Sequence, residues 1–378
     1  VIIRPSMQWR TSAGYPGRGV LTALAIILVG FGFAVAPSPG TAKVPREFFG
    51  VVNIATPPLD NADRNKMRSG RVGADRFALS WRNIEPSPGR FRWRVVDQLV
   101  GGLAAMRIRP VPWVWGSPAW VAGNPARAPL DTAADRKAWR TFLAKAVNRY
   151  GPGGTYWSQV YQKQFGQDAK PKPIRAWQIW NEPNLAKFQV QRPPARPYAR
   201  LLRISHNAIV RQDRKARILL GGLVGLTQPS AWNFLARLYR VHGIKRKFDA
   251  VALHPYAYDL KQLRVEIRAV RAVMRHHGER RTPLWLTELG WGSEPPSCRH
   301  CANWLNRGLK GQKRMLSGAF RTVLKHRSWR VKRLFWFRWR DPKPGSPGCG
   351  FCSSAGLLRY DGSPKPAYRK FRRLARAR

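Results

Sequence analysis

Two glutamates stand out in this sequence because each follows a run of apolar residues in a chain that has few acids. The 378 residues include 69 Lys and Arg against 19 Asp and Glu, which gives a formal net charge of +50. Glu182 lies in QIWNEPN and Glu288 lies in WLTELGW. Two facing carboxylates can hydrolyse a glycosidic bond, because one protonates the leaving oxygen while the other attacks the anomeric carbon or activates a water. The pair predicts this chemistry, whereas either glutamate alone would fit an exposed strand-end acid or the partner of an arginine.

Eight apolar runs, separated by segments with helical periodicity, are the elements that would position these glutamates. The runs are continuously apolar rather than alternating, which is typical of parallel strands covered by helices. The predicted strands span residues 47–55, 76–81, 108–116, 174–183, 217–225, 248–256, 283–291 and 333–339. One intervening helix is predicted around Trp139 and Val147, with Asp131 as its N-cap and Gly151 at its end. Alternating strands and helices of this number predict an α/β fold, a single (β/α)₈ TIM barrel over residues 46–378.

In a barrel of this type the reacting groups lie at the carboxyl ends of the strands, where the following loops form one concave mouth. Glu182 closes the fourth predicted strand and Glu288 closes the seventh. Asp341, just past the eighth strand, is one of the few other acids in such a position. We therefore expect Glu182 and Glu288 to face each other across the mouth.

The two strand ends carry a family resemblance. WNEPN and TELGW resemble the corresponding motifs of the clan A retaining glycoside hydrolases. Within this clan, the sequence looks most like families 39 and 5, which include bacterial enzymes. The resemblance runs from about residue 48 to residue 367 and includes RFALSW, SPAW, HPYAY and FWFRWRD. It implies an enzyme that cleaves β-glycosidic bonds of a poly- or oligosaccharide by double displacement. Glu182 would then be the acid/base and Glu288 the nucleophile.

The same resemblance implies roles for four further residues around the pair. Asn181 would bind the sugar 2-hydroxyl, Arg76 and Tyr256 would hold the nucleophile, and His254 would line the pocket. By position alone, Arg76 would also fit a surface arginine, and His254 a strand-end histidine satisfied by its neighbours. A barrel that binds carbohydrate or an anionic wall polymer without cleaving it is the alternative function.

Tryptophans concentrate near the predicted strand ends, at positions 113, 115, 120, 291, 336 and 339. Aromatic faces stack on the C–H-rich faces of sugars, so such residues suit a carbohydrate cleft. Trp336 is the predicted sugar platform, because the clan usually has an aromatic residue there, and Trp113 is a predicted substrate contact. Others of this set would pack in the barrel core or rim.

Four cysteines form two CxxC pairs, Cys298 with Cys301 and Cys349 with Cys352. In an exported protein they predict two disulfides that tie the two segments together, whereas in a cytosolic protein the same spacing would suggest a Cys₄ zinc site. Neither interpretation makes the thiols catalytic. No cofactor is predicted, and no metal is predicted at the catalytic pair.

The N-terminal segment predicts export. Arg4, Arg10 and Arg18 precede an apolar run over 20–36, and PSPGTAK follows. These are the parts of a secretory signal, so residues 1–45 are predicted to be a signal peptide or membrane anchor plus a linker, in a secreted or cell-envelope protein.

The net charge indicates an anionic environment but not a function. A field of this sign attracts anionic cell-envelope polymers or a membrane surface, and it would also fit a basic bias of the whole proteome. The basic residues follow no nucleic-acid-binding motif, so no specific nucleic-acid partner is predicted. A carbohydrate substrate and a monomeric state are expected.

Overall fold

Nine parallel strands form one curled sheet in the computed structural model, which describes residues 44–54, 59–192, 194–296, 304–346 and 348–377. The strands are β1 (Phe49–Asn53), β2 (Ala74–Ser80), β3 (Arg109–Trp115), β4 (Ala176–Ile179), β5 (Arg217–Leu219), β6 (Leu223–Val224), β7 (Val251–His254), β8 (Leu284–Leu289) and β9 (Val331–Phe337). Their order in the sheet is β5-β4-β3-β2-β1-β9-β8-β7-β6.

Hydrogen bonds between the two ends of the sheet close it into a barrel. The Asp249 N–H donates to the Ile218 carbonyl at 2.7 Å, and the Leu220 N–H donates to the Ala250 carbonyl at 3.1 Å. These bonds join β5 to the residues that lead into β7, so β5 and β6 together occupy one position of the barrel. The predicted single (β/α)₈ barrel is confirmed.

Two glycines divide the predicted fifth strand into β5 and β6. A Cβ at Gly222 would overlap the ring of His254, and a Cβ at Gly221 would lie 2.8 Å from Cδ of Pro183. Glycine therefore lets the backbone pass close to the residues that follow β4 and end β7. The strand is interrupted where the barrel wall makes room for the His254 ring.

Ten α-helices are present in the described ranges, and most of them cover the outside of the sheet. They are α1 (Asn61–Ser69), α2 (Trp81–Ile84), α3 (Arg94–Ala105), α4 (Ala133–Tyr150), α5 (Gln162–Phe165), α6 (Ala195–Gln212), α7 (Ala231–Tyr239), α8 (Leu260–His276), α9 (Gly308–Lys325) and α10 (Pro366–Arg376). Between β3 and β4, the Tyr156 hydroxyl donates to the Asp97 carbonyl at 2.7 Å, which fixes this long connection against α3.

The start of α4 differs from the prediction by one residue. Thr132, not Asp131, is the N-cap: its hydroxyl accepts from Asp135 N–H at 3.0 Å, and the Asp135 carboxylate accepts from Thr132 N–H at 2.9 Å. This reciprocal pair satisfies two backbone donors at once, which one aspartate cap does not do. Asp131 instead pairs with Arg127 at 2.6 Å. The predicted end of the helix at Gly151 is confirmed.

Aromatic rings attach α9 and α10 to the barrel. Phe49 of β1 stacks on Phe320 of α9 with ring centroids 5.3 Å apart. Phe371 of α10 meets both rings edge-on, at 6.1 Å and 5.7 Å. These ring contacts bury the apolar side chains of α9 and α10, so the charged side chains of the two helices face outward.

The disulfide prediction is wrong in its connectivity for the pair that can be examined. Cys349 and Cys352 are bonded to each other, with Cα atoms 5.1 Å apart, so this bond stays within one loop and joins no second segment. Its sulfurs are not thiolates, so in this form they are not ligands of a Cys₄ zinc site. Cys298 and Cys301 lie outside the described residues, as do residues 1–43 with the predicted export segment. In the part of the chain that is described, no helix has the length and apolar character needed to cross a membrane.

Candidate active site

The backbone turns sharply where β4 ends. Trp180 has φ 67° and Glu182 has φ 41°, both in the left-handed region that non-glycine residues rarely adopt. The Trp180 indole holds the turn, since its Nε1–H donates to the Phe188 carbonyl at 2.5 Å and its ring packs against Trp139. Packing outside the barrel thus fixes the direction of the Glu182 side chain.

Glu182 and Glu288 lie together at the mouth of the barrel. Each residue is 7% exposed, and a carboxylate oxygen of each lies within 4.8 Å of the other and of a His254 ring nitrogen. This geometry agrees with the sequence prediction that the two glutamates face each other across the mouth. Two carboxylates this close in a buried site are stable only if their surroundings treat them differently.

Arg76 and Tyr256 hold both oxygens of Glu288. The Arg76 Nη1–H donates to Glu288 Oε1 at 2.5 Å, and the Tyr256 hydroxyl donates to Oε2 at 2.5 Å. Arg76 is fully buried, donates from Nη2 to Asn181 Oδ1 at 2.9 Å and lies 4.1 Å from the Trp113 ring centroid. The guanidinium therefore orients Asn181 and Glu288 together, and Trp113 supports it from one face.

His254 connects Glu182 to the barrel interior. Its Nδ1 lies 2.7 Å from Glu182 Oε1, and its Nε2 lies 3.0 Å from Thr287 Oγ1. Gln178 Nε2–H donates to the same Thr287 oxygen at 3.2 Å. His254 therefore links Glu182 to a polar network of Thr287 and Gln178 inside the barrel.

The two carboxyls have pKa values shifted in opposite directions. Burial raises the pKa of Glu182, and the charge of Glu288 adds to this, so that the hydrogen bond and charge of His254 offset only part of the rise. Burial also acts to raise the pKa of Glu288. The charges of His254 and Arg76 and the hydrogen bonds from Tyr256 and Arg76 outweigh burial, so the pKa of Glu288 lies below its usual value. The environment favours a protonated Glu182 beside an ionised Glu288.

Glu182, His254 and Glu288 have the spacing of a metal site, with one ligand atom of each within 4.8 Å of the others. These atoms already hydrogen-bond to protein groups, and the buried guanidinium of Arg76 contacts Glu288 directly. A fixed positive charge beside the same carboxylate opposes a second cation there. The donor set therefore fits an acid–base pair better than a metal centre.

The structure brings six predicted site residues to the mouth, where they surround or contact Glu288 and one another: Arg76, Trp113, Asn181, Glu182, His254 and Tyr256. Trp336 is the exception. It is fully buried, its Nε1–H donates to the Ala355 carbonyl at 3.0 Å, and it packs against Trp291. The predicted sugar platform is therefore wrong for Trp336, because no face of this ring is open to a ligand.

Strand register explains this error. Val52 pairs with both Arg76 and Phe337 in the sheet, so the side chains of these three residues point to the same side. Because Arg76 points into the barrel, Phe337 does so too. Trp336 is the residue before Phe337 in the same strand, so its side chain points to the opposite side, outward. Phe337 is the aromatic residue that faces Tyr256, with ring centroids 5.9 Å apart.

Gln178 and Thr287 were missed by the sequence interpretation. Gln178 Oε1 accepts from Arg76 Nε at 2.6 Å, and its Nε2–H donates to the Leu220 carbonyl at 3.0 Å. Both residues are polar interruptions of buried apolar strands. Because buried polar groups need partners, such interruptions were an available signal for the network around the glutamates.

Comparisons with known proteins agree with the fold. The protein-family description "Glycosyl hydrolase catalytic core" matches residues 151–369, more than half of the 378-residue chain. No curated protein matches the sequence.

Among solved structures, a family 39 glycoside hydrolase from the gut symbiont Bacteroides cellulosilyticus WH2 is similar at TM-score 0.62 and 18% identity, over 88% of this chain and 65% of that one. A monomeric β-xylosidase from Caulobacter crescentus CB15 is similar at TM-score 0.59 and 19% identity, over 86% and 68% of the two chains. Xylanase 10B from Thermotoga maritima is similar at TM-score 0.59 and 14% identity, over 88% and 96%. The chain therefore shares its fold with structures of families 39 and 10. It spans slightly less than two thirds of the Bacteroides protein. By its family match, the chain belongs to the glycosyl hydrolase catalytic core family.

Proposed function

We propose that this protein hydrolyses β-glycosidic bonds of a poly- or oligosaccharide with retention of anomeric configuration. Glu182 is the acid/base and Glu288 the nucleophile. The observation that carries the proposal is the pair itself: two buried carboxylates with oxygens within 4.8 Å, in surroundings that shift their pKa values apart. Retaining enzymes hold their carboxyls about 5–5.5 Å apart, and inverting enzymes leave room for a water between them.

In the first step, Glu288 attacks the anomeric carbon as the bond from that carbon to the leaving oxygen breaks. Glu182 gives its proton to the leaving oxygen, so a glycosyl ester on Glu288 and a free alcohol result. In the second step, Glu182 takes a proton from water while the water oxygen attacks the same carbon and releases Glu288. Two inversions at one carbon give net retention.

The neighbours of the pair serve these two steps. Arg76 and Tyr256 keep Glu288 ionised and aim one oxygen, and His254 orients Glu182. The Asn181 oxygen accepts from Arg76, which leaves the Asn181 amide N–H groups for a sugar hydroxyl. A hydrogen bond to the 2-hydroxyl strengthens as positive charge develops at the anomeric carbon.

Proton NMR of a β-glycoside digest tests the proposal directly. We expect the first-formed product to be the β-anomer. Glu288→Gln should lower kcat/KM on the order of 10⁴-fold or more, because no covalent ester can form. Glu182→Gln should lower it for alkyl glycosides by roughly 10²–10⁴-fold, with a smaller loss for aryl glycosides whose leaving group needs no proton.

Glu294→Gln is the matched control, since Glu294 is an exposed acid in the loop after β8. It should retain wild-type activity. An α-anomeric first product would contradict the retaining mechanism, and full activity of Glu288→Gln would contradict the assigned nucleophile. Glycan binding without turnover by the wild type would instead favour the non-catalytic carbohydrate-binding barrel.

A further inference from the structure

Arg338 is a buried cation that forms no ion pair with any described residue. It follows β9 directly and is 8% exposed. Among the described residues, none accepts a hydrogen bond from its side chain or forms an ion pair with it. The other buried cations differ: Arg76 and Lys365 pair with Glu288 and Asp341, each at 2.5 Å, and Arg271 donates to the Thr282 carbonyl at 2.8 Å.

The surroundings of Arg338 belong to the catalytic mouth. The preceding residue, Phe337, packs against Tyr256, whose hydroxyl donates to Glu288. The Arg338 carbonyl accepts from Leu357 N–H at 3.1 Å, which fixes its backbone. The positive charge of Arg338 interacts with Tyr256 and Asp341.

Asp341 does not neutralise Arg338. Its carboxylate is already paired with Lys365 Nζ at 2.5 Å and accepts from Gly356 N–H at 2.7 Å. The guanidinium therefore has no hydrogen-bond partner among the described residues, although only 8% of the residue is exposed. A charge in such a partly hydrated position is stabilised by a close opposite charge.

A ligand at the mouth is the group that can supply this opposite charge. The guanidinium fork matches a carboxylate in two parallel hydrogen bonds, and such charge-assisted bonds are stronger than those of neutral groups. A sugar bound with its anomeric carbon at Glu288 places its ring in the same mouth. A carboxylate on that ring would give Arg338 the hydrogen-bond partner that it lacks among the described residues.

A cavity at the same end of the barrel also has a positive lining. It has a volume of about 350 Å³ and is lined by Arg82, Asn83, Pro86, Arg92 and Ala119. Its lining follows β2 and β3, so it lies at the same end of the barrel as the glutamates, and no acid lines it. A longer anionic chain that leaves the mouth would meet positive charge here.

We infer that Arg338 is a specificity-determining residue that binds a substrate carboxylate, and that the glycan class is one containing uronic acid residues. As a statement about substrate, this rests on the proposed glycoside hydrolysis. The observation that carries it is the buried Arg338 side chain, which has no hydrogen-bond or ion-pair partner among the described residues and lies close enough to Tyr256 to interact with it.

Paired substrates test the inference. The p-nitrophenyl β-glucuronide, galacturonide and mannuronide are each compared with the neutral hexoside of the same configuration, using the full chain. We expect kcat/KM for one uronide to exceed that of its neutral counterpart at least about tenfold. Arg338→Gln should reduce this ratio about 10–100-fold, the effect expected when a hydrogen bond to a charged group is lost. Arg338→Lys should restore part of the ratio, because it keeps the charge and loses the fork.

Arg268→Gln on the exposed outer face of α8 is the matched control, and its ratio should equal that of the wild type. Binding is measured separately by calorimetry in the Glu288→Gln background, with free uronates against neutral sugars. There Arg338→Gln should weaken uronate binding about 10-fold or more and change neutral sugar binding far less. Competitive inhibition of the wild type by free uronates, stronger than by neutral sugars, checks the inference without any Arg338 variant.

The two failures are distinguishable. If the wild type hydrolyses only neutral glycosides, or if Arg338→Gln leaves both the ratio and uronate binding unchanged, the uronate inference is overturned while the hydrolase stands. If no glycoside is hydrolysed but uronates bind through Arg338, the carboxylate site stands and the proposed reaction fails.

Discussion

The catalytic mouth and the outer pair of helices, α9 and α10, use basic residues in opposite ways. In the mouth, Arg76 is fully buried and its guanidinium is held by Glu288, Asn181 and Gln178. Helices α9 and α10 contain many Lys and Arg and no Asp or Glu. Their cations face solvent, because Phe320 and Phe371 turn the apolar sides of the helices toward the barrel.

The difference shows that burial, not residue type, decides what a positive charge does. Water and salt screen the charges on α9 and α10, so individual cations there have small effects on stability. Lys370 shows their crowding: slight burial lowers its pKa, as do the charges of Arg321, Arg373 and Lys313. In the mouth, charges interact through a medium of low polarizability, so each one needs a specific partner.

Replacing one arginine by methionine in each of the two regions should show the difference between them most clearly. Arg76→Met leaves Glu288 buried without its cation, so we expect a loss of about 3–5 kcal/mol in the free energy of unfolding. We also expect kcat to fall at least about 10²–10³-fold, as when one preorganised charge-stabilising donor is removed. Arg373→Met on α10 is the control and should stay within about 0.5 kcal/mol of wild type. Urea titration and steady-state kinetics measure both effects. Equal losses from the two variants would contradict the comparison.

The pH profile of kcat/KM should report the two carboxyls as separate groups. Activity needs an ionised Glu288 and is lost as pH falls through its lowered pKa. It also needs a protonated Glu182 and is lost as pH rises through its raised pKa. We therefore expect a bell with its acid limb below, and its basic limb above, the usual range of glutamate. In Arg76→Met the acid limb should move to higher pH, and an unmoved limb would show that Arg76 does not tune Glu288.

Glu266 is a buried carboxyl that pairs with no cation among the described residues, and it sharpens the comparison. A Cβ at Gly225 would overlap its carboxylate, and burial raises its pKa to about 7, a rise that the Gln262 side chain offsets only in part. Its folded pKa lies above the unfolded value, so wild-type stability should fall as pH rises from about 4.5 to about 7. Glu266→Gln should remove this fall and be more stable than wild type at pH 8 by at most about 3 kcal/mol. Denaturant titrations of both proteins at pH 5 and pH 8 give the measurement. Parallel stability curves for the two proteins would count against a shifted Glu266.

The smallest effect is expected on α10. Lys370→Glu places one acid among Lys313, Arg321 and Arg373, so it should raise the free energy of unfolding by about 0.3–1 kcal/mol at low salt. Because exposed charges are screened, the gain should disappear near 1 M NaCl, whereas the loss in Arg76→Met should persist. Thermal unfolding at two salt concentrations measures this. A gain that persists at high salt would point to packing rather than charge.

Much of the architecture was accessible from sequence because it depends on local pattern. Continuous apolar runs indicated parallel strands, and the barrel follows from their number. The end of α4 at Gly151 was also predicted, whereas its start was misplaced by one residue. Asp131 and Thr132 are both good caps, and the choice depended on which could exchange two hydrogen bonds with Asp135.

Other errors concern side-chain direction or partners distant in sequence. Trp336 and Phe337 are adjacent aromatics, and only the register of β9 against β1 decides which of them faces the mouth. The single predicted strand over 217–225 is broken because His254, some thirty positions later, needs the space at Gly222. Arg338 reads as one more arginine in a basic chain until its burial and lack of partners are seen.

The sequence by itself determined the candidates for the proposed chemistry: two glutamates at the ends of the fourth and seventh strands of a barrel, with partners at Arg76, His254 and Tyr256 suggested by the family resemblance. Residue type and strand order carry that information, because parallel strands bring their carboxyl ends to one place. The tertiary structure alone decided which oxygen each partner holds, how the two pKa values diverge, and which cation is left without a counter-charge. These properties depend on distances and on the exclusion of water, and both arise only when segments far apart in the chain pack together.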